Sequence, residues 1–315
     1  MSNARSRADG GRGAAADFGD LEDARAEGEG SLRPLPPFAP GAIFDGRYRL
    51  CAPIGAGAHS VVWEVEELAS GERMALKLLP SLAARTPRAE LEVEIGLGLS
   101  APYFPAVYRA GAADGFTFIA MDRLVGEDLA ARLDRDGKLP REETARLAIE
   151  LGAGLGQAHA LGLTHRDLKP TNIFLSRAAS GSTTKILDFG IAKRLAEARG
   201  TASNAQLGTP HYSAPEQIED PRQVDLRADV WSMAAVLYRC LLGVRPFAGS
   251  GAALIAAVRR ARPALPTSIE STLSSDMDLV LLRGLARNKR DRFASAADLA
   301  EAFARALRAC RPRLR

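Results

Sequence analysis

The residue types that phosphoryl transfer uses gather in one stretch, His165-Arg166-Asp167-Leu168-Lys169-Pro170-Thr171-Asn172-Ile173-Phe174-Leu175, followed by Asp188-Phe189-Gly190. That reaction asks little covalent chemistry of a protein. It needs a divalent ion set against the charge of a nucleoside triphosphate, alignment of that nucleotide, and a positioned hydroxyl nucleophile. Oxygen donors suit Mg²⁺, and Asn172 and Asp188 can supply them. Asp167, five residues before Asn172, can accept a hydrogen bond from an incoming hydroxyl, and Lys169 can stabilise charge on the transferred group. Singly, Asp167 and Asp188 would read as solvated turn formers. Together and in this order they carry the functional reading.

Two further features point to the same chemistry. Gly55-Ala56-Gly57-Ala58-His59-Ser60 falls between two expected strands. A glycine turn of a dinucleotide fold would instead open a helix. A glycine hairpin has no Cβ to hold its backbone off a phosphate, although alone it reads more simply as an ordinary turn. Met74-Ala75-Leu76-Lys77 puts a lysine on an apolar strand, where an unpartnered ammonium is costly. Glu92, fifteen residues on, is a partner that would satisfy both charges and aim the ammonium at phosphate. The alternative for Lys77 is a strand-edge lysine that snorkels to water.

The elements that must position these groups change type along the chain. Alternation predicts strands at 48–52, 61–65 and 73–79, a hairpin turn at Gly71, and further strands at Val107 and 116–121. A short helix is expected over 87–99, weakened by Gly96 and Gly98. Past Gly126 the pattern is helical: Pro140 opens a helix, and Leu147, Leu151 and Leu155 share one face. Helical periodicity recurs at 225–242, 251–261, 276–287 and 296–309. A strand-rich first third and a helix-rich remainder predict an α+β chain of two lobes.

Composition sets the outer limits. The chain has 315 residues, of which 46% are hydrophobic and 25% charged, enough to bury a sizeable core. Its net charge of +4 is small and calls for no nucleic acid, which needs a clustered basic patch. Cys51, Cys240 and Cys310 are far apart and form no C-x-x-C pair, so reduced thiols are expected rather than a zinc site or disulfide framework. No apolar stretch approaches the ~20 residues of a membrane span, and no hydrophobic signal core opens the chain, so a cytoplasmic location is expected. Residues 1–45 hold five basic and eight acidic residues and are rich in Gly and Ala, which predicts a disordered tail with a proline-stiffened lead-in.

As a set, these motifs closely resemble the eukaryotic-like (Hanks-type) serine/threonine protein kinases of bacteria. The likeness runs from residue 46 to about 310 and implies the two-lobed protein kinase fold. That fold has a small antiparallel lobe with one helix (46–121), a hinge (122–126) and a larger helical lobe (127–310), with ATP in the cleft between. Residues 1–45 and the basic end 311–315 fall outside it.

Position by position, the resemblance makes Ile54 to Ser60 the phosphate-covering loop, with Ser60 standing where the family's third glycine lies. Val62 and Ala75 become the ceiling over adenine and Phe174 its floor. Lys77 would hold the α- and β-phosphates with Glu92 as its helix partner. Met121 would be the gatekeeper, and the backbones of Asp122 and Leu124 would bind the adenine edge. Asp167 matches the catalytic base, Lys169 its companion, and Asn172 and Asp188 the ligands of Mg²⁺, with Mn²⁺ as the alternative ion.

The resemblance continues into Gly208-Thr209-Pro210-His211-Tyr212-Ser213-Ala214-Pro215-Glu216, the segment that receives substrate. Glu216 would pair with Arg292, and Asp229 would cap the catalytic loop from a buried helix. Lys169 and Thr209 are types of the serine/threonine branch, and Ala214-Pro215-Glu216 points to protein substrates. Thr201 and Ser203 resemble autophosphorylation sites with Arg166 as the natural phosphate partner. Similar bacterial kinases dimerise through the small lobe. Gly96 departs from the family's bulky apolar residue one turn after the helix Glu. A nucleotide-binding pseudokinase scaffold and a small-molecule phosphotransferase are the competing readings.

Overall fold

The computed structural model describes residues 38–57, 60–80, 99, 102–178, 181–188 and 210–310. The expected 87–99 helix with Glu92 and Gly96, the greater part of the tail, and residues 311–315 therefore lie outside the described residues, apart from Leu99.

The first lobe is one antiparallel sheet. Its strands are β1 (Ile43–Phe44), β2 (Tyr48–Gly57), β3 (Ser60–Glu67), β4 (Arg73–Pro80), β5 (Val107–Ala113) and β6 (Phe116–Asp122), in the order β1-β2-β3-β4-β6-β5. The period of two sorts its faces. Val61, Trp63 and Val65 of β3 join Leu76, Leu78 and Phe118 in one apolar core. Val62, Ala75, Lys77 and Met121 consequently face the other way, into the cleft between the lobes. Gly71 turns the β3–β4 hairpin at φ +73°, a backbone that L side chains rarely adopt.

Strand β1 corrects the sequence reading, which left residues 38–45 to the tail. Phe44 is completely buried, and Phe38 packs on Phe44 and Phe116 at ring distances of 5.7 and 5.4 Å. Pro40 and Gly41 interrupt any local periodicity, but two phenylalanines supply the burial that orders it. Asp45 then draws the far edge strand close: it accepts from Arg109 Nη1 at 2.8 Å, and its own N–H donates to Asp114 Oδ2 at 3.2 Å. Phe44→Ala is expected to cost about 3–5 kcal/mol, seen as a lower urea midpoint.

The second lobe begins with β7 (Gly126–Asp128), α1 (Leu129–Asp136) and α2 (Arg141–Ala160). Strands β8 (Ile173–Ala178) and β9 (Gly181–Ile186) join β7 in a second small sheet of order β7-β8-β9, which periodicity did not predict because the strands are short. Helices α3 (Pro215–Glu219), α4 (Arg227–Leu242), α5 (Gly251–Arg260), α6 (Pro266–Ile269), α7 (Ser275–Gly284) and α8 (Ala296–Arg308) follow. Every residue of α4 except Arg227 and Arg239 is buried, the mark of a central helix. Two glycines allow close packing around it: a Cβ at Gly284 would stand 2.6 Å from that of Ala234, and one at Gly152 2.7 Å from that of Ala300. The periodicity at 276–287 overran the helix, which stops at Gly284 so that the chain can enter the tight turn Lys289–Asp291. The lobes are stitched where Ile186 N–H donates to Tyr103 O at 2.8 Å and Lys185 Nζ to Phe104 O at 2.9 Å.

Candidate active site

A cleft of about 300 Å³ opens between the lobes. Ile54, Gly55, Val62, Ala75, Lys77, Met121, Asp122, Leu124, Phe174 and Asp188 line it, together with Asp128 and Thr171, which the sequence reading did not single out. Strand register explains the convergence. Ala75 lies opposite Met121, and Lys77 lies opposite both Val62 and Ile119. Phe174 rises from below on β8, opposite Asp128. Gly126, at φ +150°, lets β7 approach: a Cβ there would stand 2.1 Å from Leu175 O.

The polar groups form one run of contacts from the small lobe to the large. Lys77 Nζ lies 2.7 Å from Asp188 Oδ1, its side chain only 10% exposed. Leu187 N–H, just before Asp188, donates to Asn172 O at 2.9 Å. Asn172 Nδ2 donates to Asp167 O at 2.9 Å and to Asp167 Oδ2 at 3.3 Å, and Lys169 Nζ lies 3.1 Å from the same Oδ2. His165 joins the two loops: its Nδ1 accepts from Asp167 N–H at 3.2 Å and its Nε2 lies 2.9 Å from Leu187 O. That pattern makes Nδ1 the acceptor and Nε2 the donor of the ring. Asp188 and Arg166 hold positive φ, 48° and 63°, a backbone that non-glycine residues keep only when their surroundings enforce it.

For Arg166 the enforcing group is Asp229, which is fully buried on α4. Its Oδ2 accepts from His165 N–H at 2.8 Å and its Oδ1 from Arg166 N–H at 2.9 Å, while His159 Nε2 lies 2.8 Å from Oδ2. A second support is the Glu216–Arg292 pair, bidentate at 2.7 and 2.8 Å. Gln217, which sequence reasoning missed, joins this segment to the loop that carries Asp167: its amide oxygen accepts from Ala214 N–H at 2.9 Å and its Nε2 donates to Arg166 O at 2.7 Å.

The hinge has its own anchor. Tyr108 sits at a bulge in β5 and its phenol donates to the Asp122 carboxylate, which also accepts from Ala106 N–H at 2.9 Å. Donation to that carboxylate pushes the Tyr108 phenol up to about 12. A bulge beside a site re-aims one side chain, and here it fixes the carboxylate of a residue expected to bind adenine.

Ala58, His59, Glu92, Thr201, Ser203 and Thr209 lie outside the described residues; Gly57 pairs with Ser60 at the tip of the β2–β3 hairpin. Among the described residues, no group of three or more His, Cys, Asp or Glu could hold an ion alone. Asp188 and Asn172 nevertheless fit a divalent ion of the hard, oxygen-loving kind. Asn172 spends its NH₂ on Asp167, which leaves its amide oxygen as a donor. Mg²⁺ takes one or two protein oxygens and completes its shell with phosphate and water.

The sequence matches a family profile described as a protein kinase domain over residues 48–303. It is 32% identical over 267 residues to the serine/threonine-protein kinase PknE of Mycobacterium tuberculosis (strain ATCC 25618 / H37Rv), covering 83% of this chain and 46% of that protein. It is 32% identical over 272 residues to the serine/threonine-protein kinase PknH of Mycobacterium bovis (85% and 45%) and over 263 residues to PknB of Mycobacterium leprae (80% and 42%). The chain spans less than half the length of these curated relatives.

Proposed function

The chain belongs to the protein kinase family, and on that premise we propose that it transfers the γ-phosphate of ATP to Ser or Thr hydroxyls of other proteins with Mg²⁺. The observation that carries the reading is the contact run Lys77–Asp188 and Asn172–Asp167–Lys169 beside an apolar cleft of nucleotide size. A family of this kind implies ATP and a divalent ion.

In this reading the adenine lies between Val62 and Ala75 above and Phe174 below, with its edge on the backbone of Asp122 and Leu124. Lys77, paired in turn with Glu92, orients the α- and β-phosphates. Asp188 and Asn172 would hold a divalent ion, which when bound would neutralise phosphate charge. Asp167 accepts the hydrogen bond of the incoming hydroxyl and takes its proton as the new O–P bond forms and the bond from the γ-phosphorus to the β–γ bridging oxygen breaks, with ADP as the leaving group. Lys169, against the same carboxylate, stabilises charge on the moving group. Thr209 positions the substrate, and Thr201 or Ser203 takes phosphate from the chain's own kind and docks it on Arg166. A cytoplasmic site of action belongs to the same proposal; no helix among the described residues is long and apolar enough to cross a membrane.

Excess EDTA is expected to bring label transfer from γ-labelled ATP to background, and added Mg²⁺ to restore it, measured on acid-precipitated protein. Transfer that continues in excess chelator would remove the divalent ion from the reading.

A further inference from the structure

Beneath residues 210–216 sits a group of cations that the chemistry above does not use. Arg245 Nη1 lies 3.2 Å from Nε2 of His211, and His211 is 4% exposed. The Tyr212 phenol is hydrogen-bonded to Arg245 and feels the charge of Arg239. The Nε atoms of both arginines are buried and have no hydrogen-bond partner. Asp134 is the one carboxylate that Arg239 pairs with among the described residues, at 3.0 Å and half exposed. Arg245 makes no ion pair among the described residues. Most arginines here that are equally enclosed, Arg132 and Arg292 for example, are matched to a carboxylate. Arg239 with one half-exposed carboxylate, beside an Arg245 with none among the described residues, leaves a net positive, partly desolvated group, and such a group is strongest for an anion that arrives from outside. Its location is equally specific. His211 and Tyr212 belong to the segment read as receiving substrate, and Gln217 holds that segment against the loop carrying Asp167.

We propose that Arg245 and Arg239, with His211, form an anion subsite that reads an acidic side chain flanking the target Ser or Thr, so that this kinase prefers acidic substrates. The inference rests on the kinase reading above and deepens it by naming the substrate class. A guanidinium recognises carboxylate and phosphate with the same paired N–H geometry. A Glu or Asp flank and a flank already phosphorylated are therefore two sources of one chemistry.

The test uses the full chain, ATP and a set of peptides sharing one Ser/Thr core, with Glu, Ala, Lys or phosphoserine flanks. The expected result is a kcat/KM roughly tenfold higher for Glu than for Ala flanks, and lowest for Lys, the equivalent of about 1.4 kcal/mol. A gain with either anion supports the subsite, and the larger gain names its source. In Arg245→Glu the Glu-to-Lys ratio inverts, while Arg245→Lys keeps part of the preference. That ratio is insensitive to a general weakening of the fold. Equal kcat/KM across flanks in the wild type, or a ratio that Arg245→Glu leaves unmoved, overturns the subsite alone. A wild type that labels no peptide and not itself overturns the kinase reading and the subsite with it.

Discussion

Asp167→Asn is expected to lower kcat by roughly 10²–10⁴-fold, the range for losing a positioned general base, while ATP binding stays near wild type. The geometry explains why the two should separate. Asp167 reaches the site through Asn172 Nδ2 and Lys169 Nζ, at 3.3 and 3.1 Å from its Oδ2. The groups read as gripping the nucleotide are Lys77, Asp188 and the apolar walls of the cleft. Asparagine keeps the shape but cannot take a proton. Steady-state transfer beside titration with a fluorescent ATP analogue measures both quantities. A parallel fall in affinity and rate would mean that Asp167 holds the nucleotide instead.

Arg292→Ala should destabilise the large lobe strongly, by about 3–5 kcal/mol. The side chain is fully buried. It holds both oxygens of Glu216 at 2.7 and 2.8 Å and donates to the carbonyls of Ala286, Arg227 and Arg287 at 2.8, 2.9 and 3.1 Å. Its guanidinium also lies 5.0 Å from the Trp231 ring centroid. Alanine strands a nearly buried carboxylate and three carbonyls at once. The urea midpoint should fall accordingly, and Glu216→Gln in the same background should recover part of the loss by removing the stranded charge. A midpoint within experimental error of wild type would contradict the assignment of this pair as the clamp on the 208–216 segment.

These two sites also show why some of the molecule could be read in advance. The pairing of Glu216 with Arg292 across 76 positions could be expected from the family resemblance but not from local pattern, because Arg292 ends the charged run Arg287-Asn288-Lys289-Arg290-Asp291-Arg292. The small-lobe meander was legible because Val61, Trp63 and Val65 alternate with polar or cleft-facing neighbours. Strand β1 was not, because Phe44 is buried and Phe38 partly covered by contacts with strands far along the chain, while their own neighbours read as a solvated tail. The α2–α8 contact was hidden for a related reason: Gly152 looks like a weak helix residue until Ala300 is seen pressed against it. Gln217 and the Arg245–His211 contact were missed because neither carries a local pattern. Each acquires meaning only from a partner brought near by the fold.

The most direct test of the central claim is transfer of label from γ-labelled ATP by the purified chain with Mg²⁺, run beside Asp167→Asn, with the modified residues mapped by mass. The account predicts phosphoserine or phosphothreonine on protein in the wild type and a signal at or near background in the variant. Label absent from both, or present equally in both, would contradict it.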